Sequence, residues 1–316
     1  SDGFQAVNTP YFTRIHTNSG VYSTVVTVSN LDGNASATTT VYIFSSYTNY
    51  VSPSGAHVSP FTNWAWAATT LQAAVEANIP GGMVVVGDGV YEQGGAALAG
   101  GLTNRIAVTN ELVVRSLNGP SGTVIKGQGP RGDAAVRCAY VGGSAQLLGF
   151  TLTNGFTKMT GGAEDQIGGG VRIAAGGSIS NCMISGNSAD NGGGVYGGTA
   201  HHCTLGQNIA GANGGGAFGC ILNNSRICQN TAVNNGGGIY AGSVANCVVS
   251  DNSAVYGGGT AWSTNTHCTI VSNTAAFNGG GAYRSTSRNS ILYDNLASNG
   301  WDNYFNSVCS YCCTTP

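Results

Sequence analysis

Residues 187–194 read NSADNGGG, and this unit returns four more times along the chain. The later copies are NIAGANGGG (208–216), NTAVNNGGG (230–238), NSAVYGGG (252–259) and NTAAFNGGG (273–281). With an earlier triplet at Gly168, the Gly-Gly-Gly triplets are spaced by 24, 22, 22, 21 and 22 residues. A fixed repeat of this length is typical of a protein built from stacked structural units.

Each repeat also contains a short segment with a period of two, which is typical of a strand with one buried face. Its first residue is Cys or Ser and its third is aliphatic, while the middle position admits Arg226. The segments are CMI (182–184), CTL (203–205), SRI (225–227), CVV (247–249), CTI (268–270) and SIL (290–292). We therefore expect the first and third residues to point inward. The competing interpretation, an array of helices, is disfavoured by 51 glycines and by the lack of a 3.6-residue apolar stripe.

If the repeats stack as turns of one coil, equivalent residues lie about 4.8 Å apart and each column becomes a ladder of like side chains. One predicted ladder holds amides that can bond to one another and to backbone carbonyls. Its members are Asn187, Asn208, Asn230, Asn252, Asn273 and Asn295. An inward column contains Cys182, Cys203, Cys247 and Cys268, either as small buried hydrophobic residues or as cross-coil disulfides. These columns predict an all-β, right-handed parallel β-helix.

The stretch before the regular repeats carries a resemblance to a known group of proteins. A predicted helix WAWAATTLQAAVEAN (64–78) is followed in turn by VVVGDGVY, SLNGPSGTVIKG and LLGFTLTNG. This order is similar to the opening of right-handed β-helix proteins of the pectin-lyase-like superfamily, and the helix is expected to cap the open end of the coil. The Asn-x-Ala…Gly-Gly-Gly-Val/Ile-Tyr unit resembles the repeats of polymorphic outer-membrane adhesins. The resemblance covers about residues 64–313 and implies the fold, since this superfamily includes lyases, hydrolases, adhesins and structural shafts.

The chain is predicted to have three parts: 1–50, 51–80 and 81–316. The first part resembles the final strands of a PKD or other immunoglobulin-like domain, with strands at 11–16, 21–29 and 37–44. Only about half of such a domain is present. The second part is a linker followed by the capping helix, and the third is the β-helix.

Composition limits the partners of the protein. Only 8% of residues are charged and the net charge is −2, so no basic field attracts nucleic acid. No apolar run reaches the 18 or so residues of a membrane helix. Because the chain opens without an initiating Met inside an incomplete domain, we expect a processed part of a longer secreted or bacterial cell-surface protein.

One surface feature is a column of aromatic residues after the glycine triplets. The residues are Tyr196, Phe218, Tyr240 and Tyr283, and the column also contains Arg172, which places it on the outside. Such a stripe suits sugar stacking or lateral contact between molecules. The alternative is simple cross-coil stacking that stabilises the sheet.

Acidic residues offer few candidates for catalysis. Asp251 and Asp294 precede ladder asparagines two coils apart, so their separation of about 9.6 Å is near the upper limit for an inverting glycosidase pair. Turn capping is the alternative role. The insertion KMTGGAEDQI (158–167) brings Lys158, Glu164 and Asp165 into one loop that can hold a ligand or calcium, or remain a solvated loop. We predict no catalytic cluster, no metal site and no cofactor, with calcium compatible but not indicated.

The sequence as a whole predicts a non-enzymatic, secreted structural or adhesive β-helix. We expect it to bind copies of itself head to tail and to form a fibre or surface layer. The first alternative is a polysaccharide lyase or glycoside hydrolase that acts in the groove beside one sheet. The second is a carbohydrate-binding surface stalk.

Overall fold

The structure, a computed structural model, describes residues 20–30, 33–43, 48–98 and 100–314. The chain forms two compact units, 1–47 and 48–316. In the first unit, β1 (Gly20–Asn30) and β2 (Gly33–Ile43) pair as an antiparallel hairpin. The strand predicted at 11–16 lies outside the described residues, and the relation to a PKD or immunoglobulin-like domain remains a prediction.

The second unit is a solenoid in which each strand pairs in parallel with the equivalent strand of the next coil. The one exception among the described strands is the antiparallel pairing of Ala96–Ala97 with Thr103–Val108. The strands form four sheets, which we call sheets A to D.

Sheet A contains β6 (Ala96–Ala97), β7 (Thr103–Val108), β10 (Val136–Val141), β13 (Val171–Ile173), β17 (Val195–Tyr196), β21 (Ala217–Phe218), β25 (Ile239–Tyr240), β29 (Thr260–Ala261), β33 (Ala282–Tyr283) and β37 (Tyr304–Phe305). Sheet B contains β3 (Thr48–Val51), β4 (Met83–Val86), β8 (Val113–Ser116), β11 (Gln146–Leu148), β14 (Ser178–Ser180), β18 (Thr199–His201), β22 (Ile221–Asn223), β26 (Ser243–Ala245), β30 (Thr264–Thr266), β34 (Thr286–Arg288) and β38 (Val308–Ser310). Sheet C contains β5 (Gly89–Tyr91), β9 (Thr123–Lys126), β12 (Thr151–Thr153), β15 (Met183–Ser185), β19 (Thr204–Gly206), β23 (Arg226–Cys228), β27 (Val248–Ser250), β31 (Thr269–Val271), β35 (Ile291–Tyr293) and β39 (Cys313–Thr314). The smaller sheet D contains β16 (Ser188–Asn191), β20 (Ile209–Asn213), β24 (Thr231–Ala232), β28 (Ser253–Tyr256), β32 (Thr274–Asn278) and β36 (Leu296–Ala297).

A regular coil runs from sheet A through B and C to D, and the glycine triplet then leads back to sheet A. The predicted all-β solenoid is therefore confirmed. The side-chain alternation in sheet C is also as predicted: Cys182 and Ile184 are buried, while Met183 between them is 45% exposed. The core is a continuous stack of such inward aliphatic residues.

The corner between sheets C and D holds the asparagine ladder. In each step, one amide donates from Nδ2 to Oδ1 of the asparagine in the next coil, as from Asn208 to Asn230 at 2.9 Å. The same Oδ1 also accepts the backbone N–H of Asn208, at 3.0 Å. Asn230 Nδ2 donates onward to Asn252 Oδ1 and to the Leu205 carbonyl. Every polar atom of a fully buried amide thus has a partner, which removes the cost of burying it.

The corner between sheets B and C holds the cysteine column, whose described thiols are all free rather than paired in disulfides. The thiols act as serine-like donors. Cys203 Sγ donates to the carbonyl two residues earlier, at His201, as Ser225 Oγ does to Asn223 in the next coil. Ser225 Oγ in turn accepts the backbone N–H of Cys203. This shared role explains why both Cys and Ser occur in the column.

Two predicted boundaries are corrected. The helix α1 spans only Leu71–Glu76 instead of 64–78, because residues 65–68 form backbone hydrogen bonds with residues 50–58. Strand β3 pairs with β4, so the solenoid begins at Thr48, inside the segment assigned to the first two parts. Helix α1 buries Leu71, Ala74 and Val75 against the first coils; its role as a cap remains a prediction.

Candidate functional site

The insertion at 158–167 folds over the outer face of sheet A, where charged side chains converge on one small cavity. The cavity has a volume of about 170 Å³. This is below the 300–1,000 Å³ of pockets for drug-sized ligands, so the cavity has room for one small group only. It is lined by Leu98, Leu102, Asn104, Arg137, Tyr140, Glu164, Asp165 and Arg172. We call this place the Asp165 pocket.

Arg137 on β10 forms the buried side of the pocket and fastens the insertion to the coil. It is 3% exposed and donates to the carbonyl oxygens of Glu164, Ile167 and Gly168 at 2.6–3.0 Å. A further N–H donates to Asn104 Oδ1 at 2.8 Å. Burial away from water lowers the pKa of Arg137 to about 10, which leaves it charged at neutral pH. Arg137 therefore holds the insertion in place and contributes a positive charge to the pocket.

Arg172 on β13 and Glu164 form a paired rim to the pocket. The guanidinium donates to both carboxylate oxygens, at 2.9 and 3.1 Å. These hydrogen bonds from Arg172 hold the pKa of Glu164 below its ordinary value. Glu164 is consequently an anion at neutral pH and is poorly suited to donate a proton.

Asp165 is the unusual residue of the site. It is 2% exposed, and its Oδ1 accepts the backbone N–H of Leu102 at 3.2 Å. Within the described residues, its Oδ2 is buried and has no hydrogen-bond partner. Gly100 packs directly against this carboxyl, since a Cβ at Gly100 would lie 2.5 Å from Oδ1. A buried carboxylate oxygen without a partner is costly, which makes Asp165 a candidate functional residue.

The aromatic column leads away from the pocket along sheet A. The pairings place Tyr140, Arg172, Tyr196, Phe218 and Tyr240 in one register. The Tyr196 and Phe218 ring centroids are 4.8 Å apart and the rings are nearly parallel. Arg172 covers the free face of Tyr196, with its guanidinium carbon 5.1 Å from the ring centroid.

Stacking between the rings limits which of their surfaces a ligand can contact. The Phe218 ring is stacked on both neighbours, because Tyr240 lies 5.0 Å away on its other side. Tyr283 stacks on Phe305 further along, and Ala261 interrupts the column between Tyr240 and Tyr283. The stacked rings therefore expose their edges rather than their faces, and the tyrosines also expose their hydroxyl groups. A sugar-stacking role for Tyr196, Phe218, Tyr240 and Tyr283 remains a prediction.

A second cavity, of about 480 Å³, lies near the last coils and is lined by Asp294 and Asp302 together with ladder amides. Asp294 lies in a left-handed corner conformation with φ 52°, as does Asp251 with φ 58°. Asp302 Oδ1 accepts the backbone N–H of Ala297, and the ladder amides Asn273 and Asn295 are already paired. Asp251 does not line this cavity, so the predicted Asp251–Asp294 pair is not brought together there.

No protein-family model matches the sequence, and a comparison with curated proteins finds no significant relative. Among solved structures, the pectate lyase Pel9A matches 85% of this chain and 76% of its own, with a TM-score of 0.50 and 14% identity. A rhamnogalacturonan lyase matches 84% of this chain and 87% of its own, with a TM-score of 0.51 and 12% identity. Both are right-handed parallel β-helix proteins. This chain is a right-handed parallel β-helix.

The prediction that this β-helix is not an enzyme is wrong. It rested on the scattering of acidic residues in the sequence, whereas the solved structures that the fold resembles are polysaccharide lyases. At such low identity the likeness shows the fold, and the names of those proteins describe their own activities. Filament formation, self-association and secretion remain predictions.

Sequence reasoning singled out Lys158, Glu164 and Asp165 in the insertion but missed Asn104, Arg137 and Tyr140. A signal for Arg137 was present in the strand VRCAYV, where it stands between the apolar residues Val136 and Cys138. A buried charge in an apolar strand needs partners, and the insertion on the outer face of the sheet supplies them. Asn104 and Tyr140 carried no such signal.

The described part of the chain lacks two further features. No group of three or more His, Cys, Asp or Glu side chains there is arranged to hold a metal ion. No described helix has the length and apolarity needed to cross a membrane. The absence of cofactors stays a prediction.

Proposed function

We propose that the chain is an enzyme that cleaves a polysaccharide, with one sugar unit seated in the Asp165 pocket. The observation that carries the proposal is the buried Oδ2 of Asp165, which lacks a partner among the described residues. Gly100 and Gly161 pack against this oxygen, so in the proposal the bound sugar displaces the Gly161 segment and Oδ2 then accepts a proton from the sugar. The β-helix fold shared with a pectate lyase and a rhamnogalacturonan lyase supports the substrate class.

The state of Glu164 favours elimination over hydrolysis. Hydrolysis by two carboxyl groups needs one of them protonated, with its pKa raised by its surroundings. Glu164 has the opposite environment, since Arg172 lowers its pKa. Elimination needs one base and a nearby positive charge, which Asp165 and Arg172 supply together.

In this proposal Asp165 Oδ2 takes a proton from a ring carbon next to a carboxyl group of the sugar. The electron pair forms a carbon–carbon double bond, and the bond to the leaving sugar oxygen breaks. Arg172 and Arg137 offset the negative charge that builds up during this step. Tyr140 lines the same cavity and is the O–H group available to the leaving oxygen.

The test is a screen of the full chain against polygalacturonate, rhamnogalacturonan, alginate and an uncharged glucan. We expect unsaturated ends, measured by ultraviolet absorbance, from at least one acidic polymer. Asp165→Asn should lower the rate by about 10²- to 10⁴-fold, the usual contribution of a general base. The matched control Asp294→Asn, at the second cavity, should leave the rate unchanged.

Three outcomes would contradict this assignment. Full activity in Asp165→Asn would remove the proposed base. Reducing ends without unsaturated ends, lost in Asp294→Asn, would move the chemistry to a hydrolase site at the second cavity. A wild-type protein that leaves every polymer intact would overturn the proposal as a whole.

A further inference from the structure

Trp262 is a large aromatic residue at the corner between sheets A and B. The equivalent residues of the neighbouring coils, Gly219, Ala241 and Arg284, share its left-handed conformation, and Trp262 itself has φ 54°. An aromatic residue in this region of backbone space carries strain, because its Cβ approaches the following carbonyl group. Trp262 is nevertheless 50% exposed, so the strain is not offset by burial of the ring.

Arg284 covers one side of this tryptophan. Its guanidinium carbon lies 4.9 Å from the Trp262 ring centroid and 5.4 Å from that of Tyr283. On the other side, the preceding coil presents only the small, exposed Ala241. One face of the indole is thus stacked on a cation, and the other adjoins a position without a ring.

The Arg284 guanidinium has no acidic partner among the described residues. The ion pairs there involve Arg131, Arg172 and Lys126, and the Arg284 side chain makes no hydrogen bond with any part that the structure describes. Stacking holds the group in one orientation while its N–H donors remain free. A planar guanidinium held in this way is suited to bind a carboxylate or sulfate group.

The described strands of sheet B, which lie beside this pair, carry no acidic side chain. Arg288 on β34 adds a second exposed arginine in the same coil as Arg284. A negatively charged polymer would therefore meet no repulsion from these strands.

The corner that holds Trp262 lies farther along sheet A from the Asp165 pocket. Ala261 lies four coils from Arg172 in the same column of sheet A, a distance of about 19 Å at the usual strand spacing. Trp262 directly follows Ala261. A chain that enters the Asp165 pocket and follows the edge of sheet A would reach Trp262 several units away.

We infer that Trp262 and Arg284 form a distal subsite for an anionic sugar, in which the ring packs on the indole and the acidic group binds the guanidinium. This inference rests on the proposed function and adds that the polysaccharide carries a carboxylate or sulfate group on a unit several positions from the cleaved bond. The uncovered indole supplies apolar contact, and the fixed cation supplies selection for charge.

The test measures binding of the full chain to a polyuronate, to dextran sulfate and to uncharged dextran. Trp262→Ala and Arg284→Ala should each weaken binding of an anionic polymer about tenfold, as expected for a stacked or cationic contact of moderate strength. Arg284→Lys should restore part of the affinity, since it keeps the charge but loses the planar fork. Preference for polyuronate or for dextran sulfate identifies the acidic group.

Matched controls are Trp66→Ala, which removes a 47% exposed tryptophan near the first coil, and Arg226→Ala, which removes an exposed arginine on sheet C. Both should bind as the wild type does. Oligosaccharides of increasing length should show the Trp262→Ala defect only once they span both places. The same defect should be seen in an Asp165→Asn background, where binding persists without cleavage.

Each negative outcome has its own meaning. If the two variants bind within twofold of the controls, the distal subsite is wrong while the proposed enzyme stands. If uncharged dextran loses as much affinity as the anionic polymers, the selection for charge is wrong. If the wild type neither binds nor cleaves any polymer, the proposed function itself fails.

Discussion

At the scale of single residues, small hydrogen-bond donors recur at the corners of this solenoid. Between sheets A and B, Cys220 Sγ donates to the Phe218 carbonyl at 3.2 Å. Ser263, Ser285 and Ser307 make the equivalent bond two residues back in later coils. Thiol and hydroxyl are interchangeable here because both are single-atom donors that point at the same carbonyl. They differ in that the thiol loses its proton at alkaline pH and the hydroxyl does not.

Burial gives the thiols a measurable effect on alkaline stability. Desolvation raises the pKa of Cys138 and of Cys220 from 9.0 to about 12. The unfolded chain loses these protons first as the pH rises above about 9, so the stabilisation is complete below that pH and is lost as pH approaches 12. The free energy of unfolding should fall by up to about 1.4 kcal/mol per pH unit for each thiol.

Cys220→Ser should keep the hydrogen bond and remove one thiol from this titration. We expect denaturant unfolding between pH 8 and 10.5 to show a shallower loss of stability than in the wild type. Cys313→Ser, which changes an exposed thiol, should keep the wild-type slope. An unchanged slope in Cys220→Ser would show that burial of this thiol does not govern the effect.

At the scale of elements, the glycine triplets allow sheet D to turn back into sheet A while the backbones of successive coils pack directly on each other. A Cβ at Gly238 would lie 2.6 Å from the Gly259 carbonyl oxygen and 3.1 Å from Asn252 Nδ2. Such a contact is closer than van der Waals packing permits. The glycine is required by the neighbouring coil rather than by its own turn.

Two glycine-to-alanine variants separate the need for a left-handed backbone from the need for space beside the next coil. Gly219 has φ 62°, but no atom lies within 4 Å of the position that a Cβ would take there, and its equivalent in the next coil is Ala241. Gly219→Ala should therefore destabilise the fold by only about 1–2 kcal/mol, the usual cost of a left-handed residue. Gly238→Ala should cost more than about 3 kcal/mol or prevent folding, because it pushes apart two coils and their ladder amide. Equal midpoints in urea for the two variants would contradict this distinction.

At the scale of the whole solenoid, Arg137 connects the regular coils to the insertion at 158–167. It lies on β10 and donates to three carbonyl oxygens of the segment 164–168. Asp165 and Glu164 reach the cavity because that segment is held against sheet A. The pocket is therefore a product of one buried cation and one insertion in an otherwise regular coil.

Replacing Arg137 by Met should release the insertion while the coil remains intact. The variant leaves several buried carbonyl oxygens without donors, at a cost of about 3 kcal/mol or more. Hydrogen–deuterium exchange should increase in residues 158–168 and stay unchanged in the distant β31–β35 region. Arg226→Met, on the solvent face of sheet C, should change stability by less than about 0.5 kcal/mol. Wild-type exchange in the insertion of Arg137→Met would show that Arg137 does not hold it.

The sequence by itself determined the repeat, the fold and the inward and outward columns. These follow from a spacing of about 22 residues, because each side chain in a stacked coil meets its own equivalent in the next turn. The asparagine positions and the burial of Cys182 and Ile184 needed no knowledge of distant contacts.

Tertiary structure alone decided the site, the length of the helix and the faces that the aromatic rings expose. Asn104 and Arg137 are paired on neighbouring coils, Tyr140 lies on the same strand as Arg137, and Asp165 comes from an insertion outside the regular repeats. Residues 65–68 lost their helical conformation because backbone bonds to residues 50–58 replaced the bonds within a helix. The spacing of residues along the sequence predicts the repeating positions. The pocket lies where an insertion interrupts the repeat, so it depends on contacts that form only in the folded coil.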